Sequence, residues 1–294
     1  MSLSDQPLEL LDTIASFIPL PSDLLSLALA NKLLYGIIVP EHLEFRQVRC
    51  DARRRTLWSA LSDHPGSSSR ILSLDLLPEI PSVQRLIPQS LNASSDEDLQ
   101  GDGGDGCAEL LATAIATMSR LQCFSFQQTS FARAHLMEPV FDALRLRCTN
   151  LREIEITFYD SQPSFETFSA PLWEFTNLTR VSITVTRHPG VRGGPRPFLQ
   201  KMFAMLLNCP RLGDLRIASE MRGPRVDISR FLTDKLWPDL RCLVVEGDIA
   251  FDDKEKLTSF LLRHPKLETL SLPESHETAA AKLAMAGAVS SGSG

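Results

Sequence analysis

One short pattern of apolar residues recurs along the chain from residue 70 onward: an apolar residue is followed three and five positions later by two more. The pattern begins at Ile71, Leu121, Leu151, Leu178, Leu212, Leu240 and Leu267. Because its last two positions lie two residues apart, they share one face of an extended chain, and the residue between them occupies the other face. Each instance therefore predicts a short β-strand with one buried face.

Helical patterns separate these predicted strands. They cover residues 108–117, 135–147, 197–208, 228–235 and 254–263. From Leu121 onward the strands begin 27 to 34 residues apart, a period typical of arrays whose strand and helix units stack on one another to bury a common core. The chain is therefore predicted to be α/β, and the first step of 50 residues, from Ile71 to Leu121, indicates an insertion.

Two junctions between helix and strand carry a further signature. Residues 208–212 read Asn-Cys-Pro-Arg-Leu and residues 147–151 read Arg-Cys-Thr-Asn-Leu. Both resemble the cysteine-containing variant of the leucine-rich repeat. The resemblance implies a degenerate leucine-rich-repeat solenoid over residues 70–275, with parallel strands inside, helices outside and an acidic, glycine-rich insertion near residues 92–106.

The segments on either side of the array are less regular. Residues 47–69 are predicted to form a linker helix, on the helical pattern of residues 52–64. The tail, residues 276–294, is rich in Ala, Gly and Ser. Within it, residues 277–286 either form a last covering helix or leave the array without a cap.

The first fifty residues predict three short helices. Asp5 can cap a helix over residues 6–18, Ser22 starts a second one, and a third covers residues 32–39. The first helix carries two apolar stripes, Leu8, Leu11, Ala15 and Ile18 on one side and Leu10, Ile14 and Phe17 on the other. A unit of about 45 residues is too small to bury both, so one stripe is either covered by the array or forms a docking surface.

The order of motifs in this segment is distinctive. It runs through Gln-Pro-Leu-Glu-Leu-Leu at residues 6–11, Phe-Ile-Pro at residues 17–19, Ser-Asp-Leu-Leu-Ser-Leu-Ala-Leu at residues 22–29 and then Val39-Pro40. This order resembles the F-box motif. The resemblance implies an F-box over residues 1–46 that binds a Skp-type adaptor and, through it, a cullin-RING ligase. The adaptor-binding residues that it implies are Pro7, Leu8, Leu10, Leu11, Ile14, Phe17, Ile18, Leu24 and Leu25.

Charge and cysteine spacing exclude several other classes. A formal charge of -6 and a pI near 5.6 provide no basic field for nucleic acid. The closest pair of cysteines, Cys107 and Cys123, is 16 positions apart, so no CxxC zinc or redox pair exists. Counted from Asp96, an EF-hand would need ligands where Gln100 and Cys107 stand, so the acidic segment does not fit a calcium loop.

No cofactor, metal or catalytic residue is predicted. The sequence has no nucleotide-binding glycine motif, no HExxH and no motif that places a nucleophile beside a histidine. Residues 1–12 contain no Lys or Arg, and polar residues interrupt the apolar stretch 24–39. We therefore expect no membrane association and a cytoplasmic and/or nuclear protein.

These observations predict a binding function rather than an enzyme. The resemblance implies the substrate-recognition subunit of a Skp-cullin-F-box type ubiquitin ligase, and the alternative is a repeat scaffold with no ligase role. The target protein is expected on the concave strand face, at the outward positions of the strand patterns. These positions are Glu155, Thr157, Ser182, Thr184, Arg216 and Glu246.

Overall fold

The computed structural model describes most of the 294-residue chain. The described residues are 6–18, 20–77, 86–88, 91, 106–127, 137–159, 171–186, 197–220, 226–229, 236–247, 249–250 and 253–273. The chain divides into two compact units. The first unit comprises Met1–Phe126 and Leu136–Leu151, and the second comprises Gln127–His135 and Arg152–Gly294.

The first unit begins with the three predicted helices, α1 (Leu8–Phe17), α2 (Pro21–Ala30) and α3 (Lys32–Ile38), and a π-helical turn at Val39–Leu43 follows. Pro21 stands in the first turn of α2, where its missing N–H costs no hydrogen bond. The side chain of Asn31 caps α3 by accepting a hydrogen bond of 2.8 Å from Leu33 N. The three helices enclose a small core of Leu11, Ala15, Leu24, Ala28, Leu34 and Ile38.

Parallel strands and helices make up most of the other described residues of the first unit. The strands are β1 (Gln47–Asp51), β2 (Ser73–Leu77) and β3 (Cys123–Gln127), paired in that order. The helices are α4 (Arg55–Asp63), α5 (Pro65–Ser68), α6 (Cys107–Thr117) and α7 (Glu138–Arg147). Along β2 and β3, and over the first four residues of β1, buried residues alternate with more exposed ones, as expected for strands with one face in the core.

The second unit repeats this arrangement. Its described strands are β4 (Glu153–Tyr159), β5 (Arg180–Thr186), β6 (Asp214–Glu220), β7 (Val226–Asp227), β8 (Cys242–Gly247), β9 (Ile249–Ala250) and β10 (Thr269–Ser271). Strands β4, β5, β6, β8 and β10 pair in parallel in that order, and β7 pairs with β9. Its described helices are α8 (Pro197–Leu207), α9 (Lys254–Arg263) and a 3-10 turn at Pro171–Glu174.

A repeated pair of main-chain hydrogen bonds sets the register of the strands. The carbonyl oxygen of Arg46 accepts from Leu72 N at 2.9 Å and from Ser73 N at 3.2 Å, at the start of the next strand. The same pair of bonds is accepted by the carbonyls of Leu72, Arg152, Thr179, Gly213 and Arg241. Equivalent residues therefore lie opposite one another on neighbouring strands, and Leu215 of β6 pairs with both Val181 and Leu243.

The turn that leads into each strand is also repeated. The N–H of the first apolar residue of the pattern donates to the carbonyl three residues earlier, at 3.0 to 3.1 Å. The carbonyls belong to Ser68, Met118, Cys148, Cys209, Trp237 and His264. All six of these side chains are buried. A polar group at this position must therefore find a partner inside the core, and Cys209 Sγ does so by lying 3.6 Å from Met205 O.

The predicted fold class is confirmed at the level of α/β structure with parallel strands, which is compatible with a solenoid. All seven apolar patterns lie on strands, and their last two positions are buried in β2, β3, β4, β5, β6 and β8. The helical patterns at residues 108–117, 197–208 and 254–263 correspond to α6, α8 and α9. The pattern at residues 135–147 corresponds to α7, which begins at Glu138.

Strand β1 was not predicted. Sequence analysis assigned residues 47–69 to a linker helix, and α4 does lie there, but Gln47–Asp51 precede it as a strand that pairs with β2 over five residues. The apolar pattern was present, because Phe45, Val48 and Cys50 have its spacing and are all buried. Charged residues between and after these positions make the pattern hard to recognise in the sequence. One of them, Arg49, forms a 3.0 Å ion pair with Asp75 on the neighbouring strand.

Three predictions concern residues outside the described part of the chain: nearly all of the acidic insertion at residues 92–106, most of the helical pattern at residues 228–235, and the tail at residues 276–294. Among the described helices, none has the length and apolar character needed to cross a membrane.

Candidate functional site

An exposed apolar stripe runs along α1. Leu10, Ile14 and Phe17 follow one another at helical spacing, and their side chains are 49%, 41% and 78% exposed. Residues spaced in this way lie on one side of a helix. A single exposed leucine is ordinary in proteins. Three large apolar side chains exposed on one helix face, one of them a largely exposed phenylalanine, are unusual. We refer to these three side chains as the α1 stripe.

The opposite side of α1 faces the core of the three helices. Leu11 and Ala15 are buried there and Ile18 is half-buried, whereas Leu8, at the start of the helix, remains exposed. The sequence is compatible with a second stripe that the array covers and with one that stays exposed. The burial of the described residues answers this for α1, since the stripe that faces away from the core remains accessible to solvent.

The predicted adaptor-binding residues therefore fall into two groups. Pro7, Leu8, Leu10, Ile14, Phe17 and Leu25 are exposed and Ile18 is half-buried, whereas Leu11 and Leu24 are fully buried. These two leucines support the helices from within and do not reach the surface. Sequence analysis did not select four further apolar side chains that are exposed: Leu20, Leu29, Leu33 and Tyr35. Leu25 and Leu29, at i and i+4 on α2, form a second short apolar row.

Two arginines tie the carboxyl end of α1 to the strands of the first unit. Arg46 Nη2 donates to Ile18 O at 2.9 Å, and Arg120 Nη2 donates to Ser16 O at 3.0 Å. Carbonyls at the end of a helix have no partner within the helix and carry partial negative charge, so cations are favourable there. Burial, and secondarily the nearby charge of Arg120, lowers the pKa of Arg46.

A group of ionisable side chains ties α1 to the π-helical turn and to Arg70, which lies shortly before β2 in the chain. His42 Nε2 lies 2.8 Å from Asp12 Oδ1, and Arg70 Nη1 lies 3.4 Å from the same oxygen and 2.9 Å from Glu41 Oε2. Arg70 thus bridges α1 and the π-helical turn from a position just before β2. These contacts orient α1, and with it the α1 stripe, against the strands of the first unit.

A second candidate surface lies on the strands of the second unit. The residues that alternate with the buried ones in β4, β5, β6 and β8 point away from the core. They align in rows: Glu155, Ser182, Arg216 and Val244 are paired across the four strands, and Thr157, Thr184, Ala218 and Glu246 form the next row. We refer to these two rows, together with Glu153, Arg180 and Asp214 at the start of the strands, as the open face.

All six predicted target-binding residues lie on the open face, and the strand register brings them together. Glu155, Arg216 and Glu246 are exposed, and Thr157, Ser182 and Thr184 are half-buried. The alternation of the sequence pattern was sufficient to assign them to one face. Their alignment in rows depends on the parallel register between strands, which the sequence of one strand does not determine.

A chain of alternating charges crosses one edge of the open face. Arg180 Nη1 lies 2.6 Å from Glu153 Oε2, Arg180 Nε lies 3.4 Å from Asp214 Oδ2, and Arg216 Nε lies 3.3 Å from Asp214 Oδ1. The hydrogen bond from Arg216 to Asp214, with the charge of that carboxylate, raises the pKa of Arg216. The two arginines therefore already have acidic partners within the sheet.

The described residues contain no group of three or more His, Cys, Asp or Glu side chains that could hold a metal ion. Burial raises the pKa of the Cys148 thiol to about 12 and also raises the pKa of Cys209, which makes both poor nucleophiles near neutral pH. The α1 stripe and the open face are suited to binding through apolar and charged side chains.

No model of a known protein family matches the chain, and a search of curated proteins finds no match either.

Proposed function

We propose that the chain is a substrate receptor of a Skp-cullin-F-box type ubiquitin ligase. In this proposal the three N-terminal helices act as an F-box that binds a Skp-type adaptor through the α1 stripe. The strands that follow them in the sequence belong to degenerate leucine-rich repeats and bind the target protein on the open face of the second unit. Ubiquitin transfer belongs to other subunits, and this chain raises the effective concentration of target lysines near the conjugating enzyme.

The α1 stripe is the observation that carries the proposal. Full burial of a Leu, Ile or Phe side chain is favourable by about 1.5–3 kcal/mol. Because Leu10 and Ile14 are roughly half exposed and Phe17 is largely exposed, covering all three would gain about 3–4 kcal/mol, or about two to three powers of ten in affinity. A partner helix with its own apolar face can realise this gain.

The contacts at the base of the helices support the same role. A receptor must hold its adaptor-binding helices in a fixed orientation if geometry is to bring target and enzyme together. Arg46 and Arg120 bind the end of α1, and Arg70 bridges Asp12 and Glu41. The competing interpretation, a repeat scaffold without a ligase role, accounts for the open face but gives the α1 stripe no partner.

Substitution of Leu10 by aspartate tests the proposal. Leu10 is half-exposed, so Leu10→Asp should leave the fold intact, yet it places an unpaired charge in an apolar interface. We expect binding to a purified Skp-type adaptor, measured by isothermal titration calorimetry, to weaken at least about 100-fold, which corresponds to about 2.7 kcal/mol.

The matched control is Leu262→Asp on α9, where the same substitution falls on a leucine that is 79% exposed and lies outside the three helices. We expect this variant to bind the adaptor like the unaltered chain. Circular dichroism establishes that both variants are folded. If folded Leu10→Asp bound the adaptor normally, or the unaltered chain did not bind it, the receptor proposal would fail and the scaffold interpretation would replace it.

A further inference from the structure

Carboxylates outnumber cations on the open face. Within the described residues it carries the acidic side chains Glu153, Glu155, Asp214 and Glu246 and the basic side chains Arg180 and Arg216. Arg180 already lies against Glu153 and Asp214, and Arg216 lies against Asp214. Glu155 and Glu246 are exposed, and neither forms an ion pair with another described residue. Among the described residues, these two carboxylates are therefore the charges of the face that have no ion-pair partner.

Glu155 and Glu246 lie at opposite ends of the open face. Glu155 pairs through Ser182 and Arg216 with Val244, and Glu246 is two residues beyond Val244 on β8. Three strand spacings span about 14 Å, and two residues along a strand add about 6.6 Å at right angles. The two main-chain positions are thus separated by about 16 Å, which is the span of about five residues of an extended chain.

The row that ends at Glu246 otherwise consists of short side chains. Thr157, Thr184 and Ala218 are paired across β4, β5 and β6, and all three are half-buried. On one side the neighbouring row contributes the longer charged side chains of Glu155 and Arg216. The main chain of a peptide can therefore lie over the small side chains of Thr157, Thr184 and Ala218, with Glu155 beside it and Glu246 at the end of the row.

We propose that the open face binds an extended segment of the target that carries two lysine or arginine side chains four to six residues apart. One cation pairs with Glu155 and the other with Glu246. The inference rests on the proposed function in that it takes this face as the target-binding surface, and it adds the chemical class of the segment that binds there.

The sign of the charge argues against an acidic or phosphorylated segment. An anion placed over the row would approach Glu155 and Glu246, and the nearest cation, Arg216, is already shared with Asp214. Like charges brought together at an interface are unfavourable, whereas complementary charges select the correct partner and its register. The two carboxylates thus contribute to the choice of a basic segment over an acidic one as well as to the affinity for that segment.

Selection from a library of displayed random 12-residue peptides tests the inference on the full chain at low ionic strength. We expect the enriched peptides to carry two Lys or Arg residues four to six positions apart. One such peptide, labelled with a fluorophore, is then measured by anisotropy. Because each exposed ion pair contributes modestly, we expect the double variant Glu155→Gln with Glu246→Gln to bind it about tenfold more weakly.

The matched control is Glu109→Gln with Glu255→Gln, which removes the same charge from exposed positions on α6 and α9. It should bind the peptide like the unaltered chain. Enrichment of acidic peptides, absence of any paired cations, or equal binding by both double variants would overturn the inference. No adaptor is present in this experiment, so its failure is distinct from loss of the receptor role, which the Leu10→Asp titration measures.

Discussion

His264 occupies a buried position where its protonation state determines a hydrogen bond. Its Nδ1 lies 2.7 Å from Phe260 O, and its Nε2 lies 3.1 Å from Trp237 N. Because the main-chain N–H of Trp237 can only donate, Nε2 must accept, and the ring is therefore neutral with its proton on Nδ1. Protonation of Nε2 would place two donors against each other inside the core.

The sign of the pH dependence follows from this geometry. Burial is the main cause that lowers the pKa of His264 in the folded chain; the bond to Phe260 opposes it and Arg263 adds to it. The unfolded chain therefore takes up a proton more readily, near the ordinary value of 6.5. The free energy of unfolding is then at its full value above pH 6.5 and decreases as the pH falls below it, toward the lowered pKa of the folded state.

The substitution that removes this dependence is suggested by the fold itself. Cys209 stands at the equivalent turn, three residues before the first apolar position of its pattern. We expect His264→Cys to fold but to leave the buried N–H of Trp237 without its partner, which costs about 1–3 kcal/mol at pH 7.5. The smaller side chain adds a cavity cost, so the total loss should be about 2–4 kcal/mol.

Urea unfolding between pH 5 and 7.5, followed by circular dichroism and tryptophan fluorescence, measures this effect. The difference in stability between the unaltered chain and His264→Cys should shrink as the pH falls, because only the unaltered chain loses stability through His264. The control His64→Ala, at an exposed histidine, should retain the pH dependence. A stability difference that is constant from pH 7.5 to 5 would refute the assignment of His264 as a buried neutral acceptor.

Two further predictions concern stability and thiol reactivity. Gly247 has a φ of +79°, and a Cβ there would clash with the main-chain oxygen of Ser219, so Gly247→Ala should lower the free energy of unfolding by at least about 2 kcal/mol in urea titrations. Gly66→Ala, whose Cβ would meet no atom within 4 Å, should be neutral or slightly stabilising. Burial raises the pKa of Cys148 to about 12, so its thiol should resist Ellman's reagent at pH 8 until the chain unfolds. The half-buried Cys123 should react before it. Rapid labelling of Cys148 in the folded chain would contradict its burial.

Local periodicity was enough to predict most of the secondary structure. In the array, two apolar residues with one polar residue between them, preceded by an apolar residue three positions before the first, predict a strand with a buried face. Ile154 with Ile156 and Leu215 with Ile217 are examples, and all four are buried. The two stripes of α1 are likewise a property of helical spacing. From them it follows that a unit with so little volume cannot bury both Leu11 and Leu10.

Pairing and burial depended on residues distant in sequence. Strand β1 is stabilised by its pairing with β2 and by the Arg49–Asp75 ion pair. The charged residues of β1 made its apolar pattern hard to recognise in the sequence, because the partners of those charges lie on another strand. The exposure of Leu10 and the burial of Leu24 depend on which helix faces approach one another. The rows of the open face arise from the parallel register, which is set by main-chain hydrogen bonds between successive repeats. A sequence pattern determines which face of an element is apolar, but only packing determines what covers that face, because the partners come from elsewhere in the chain.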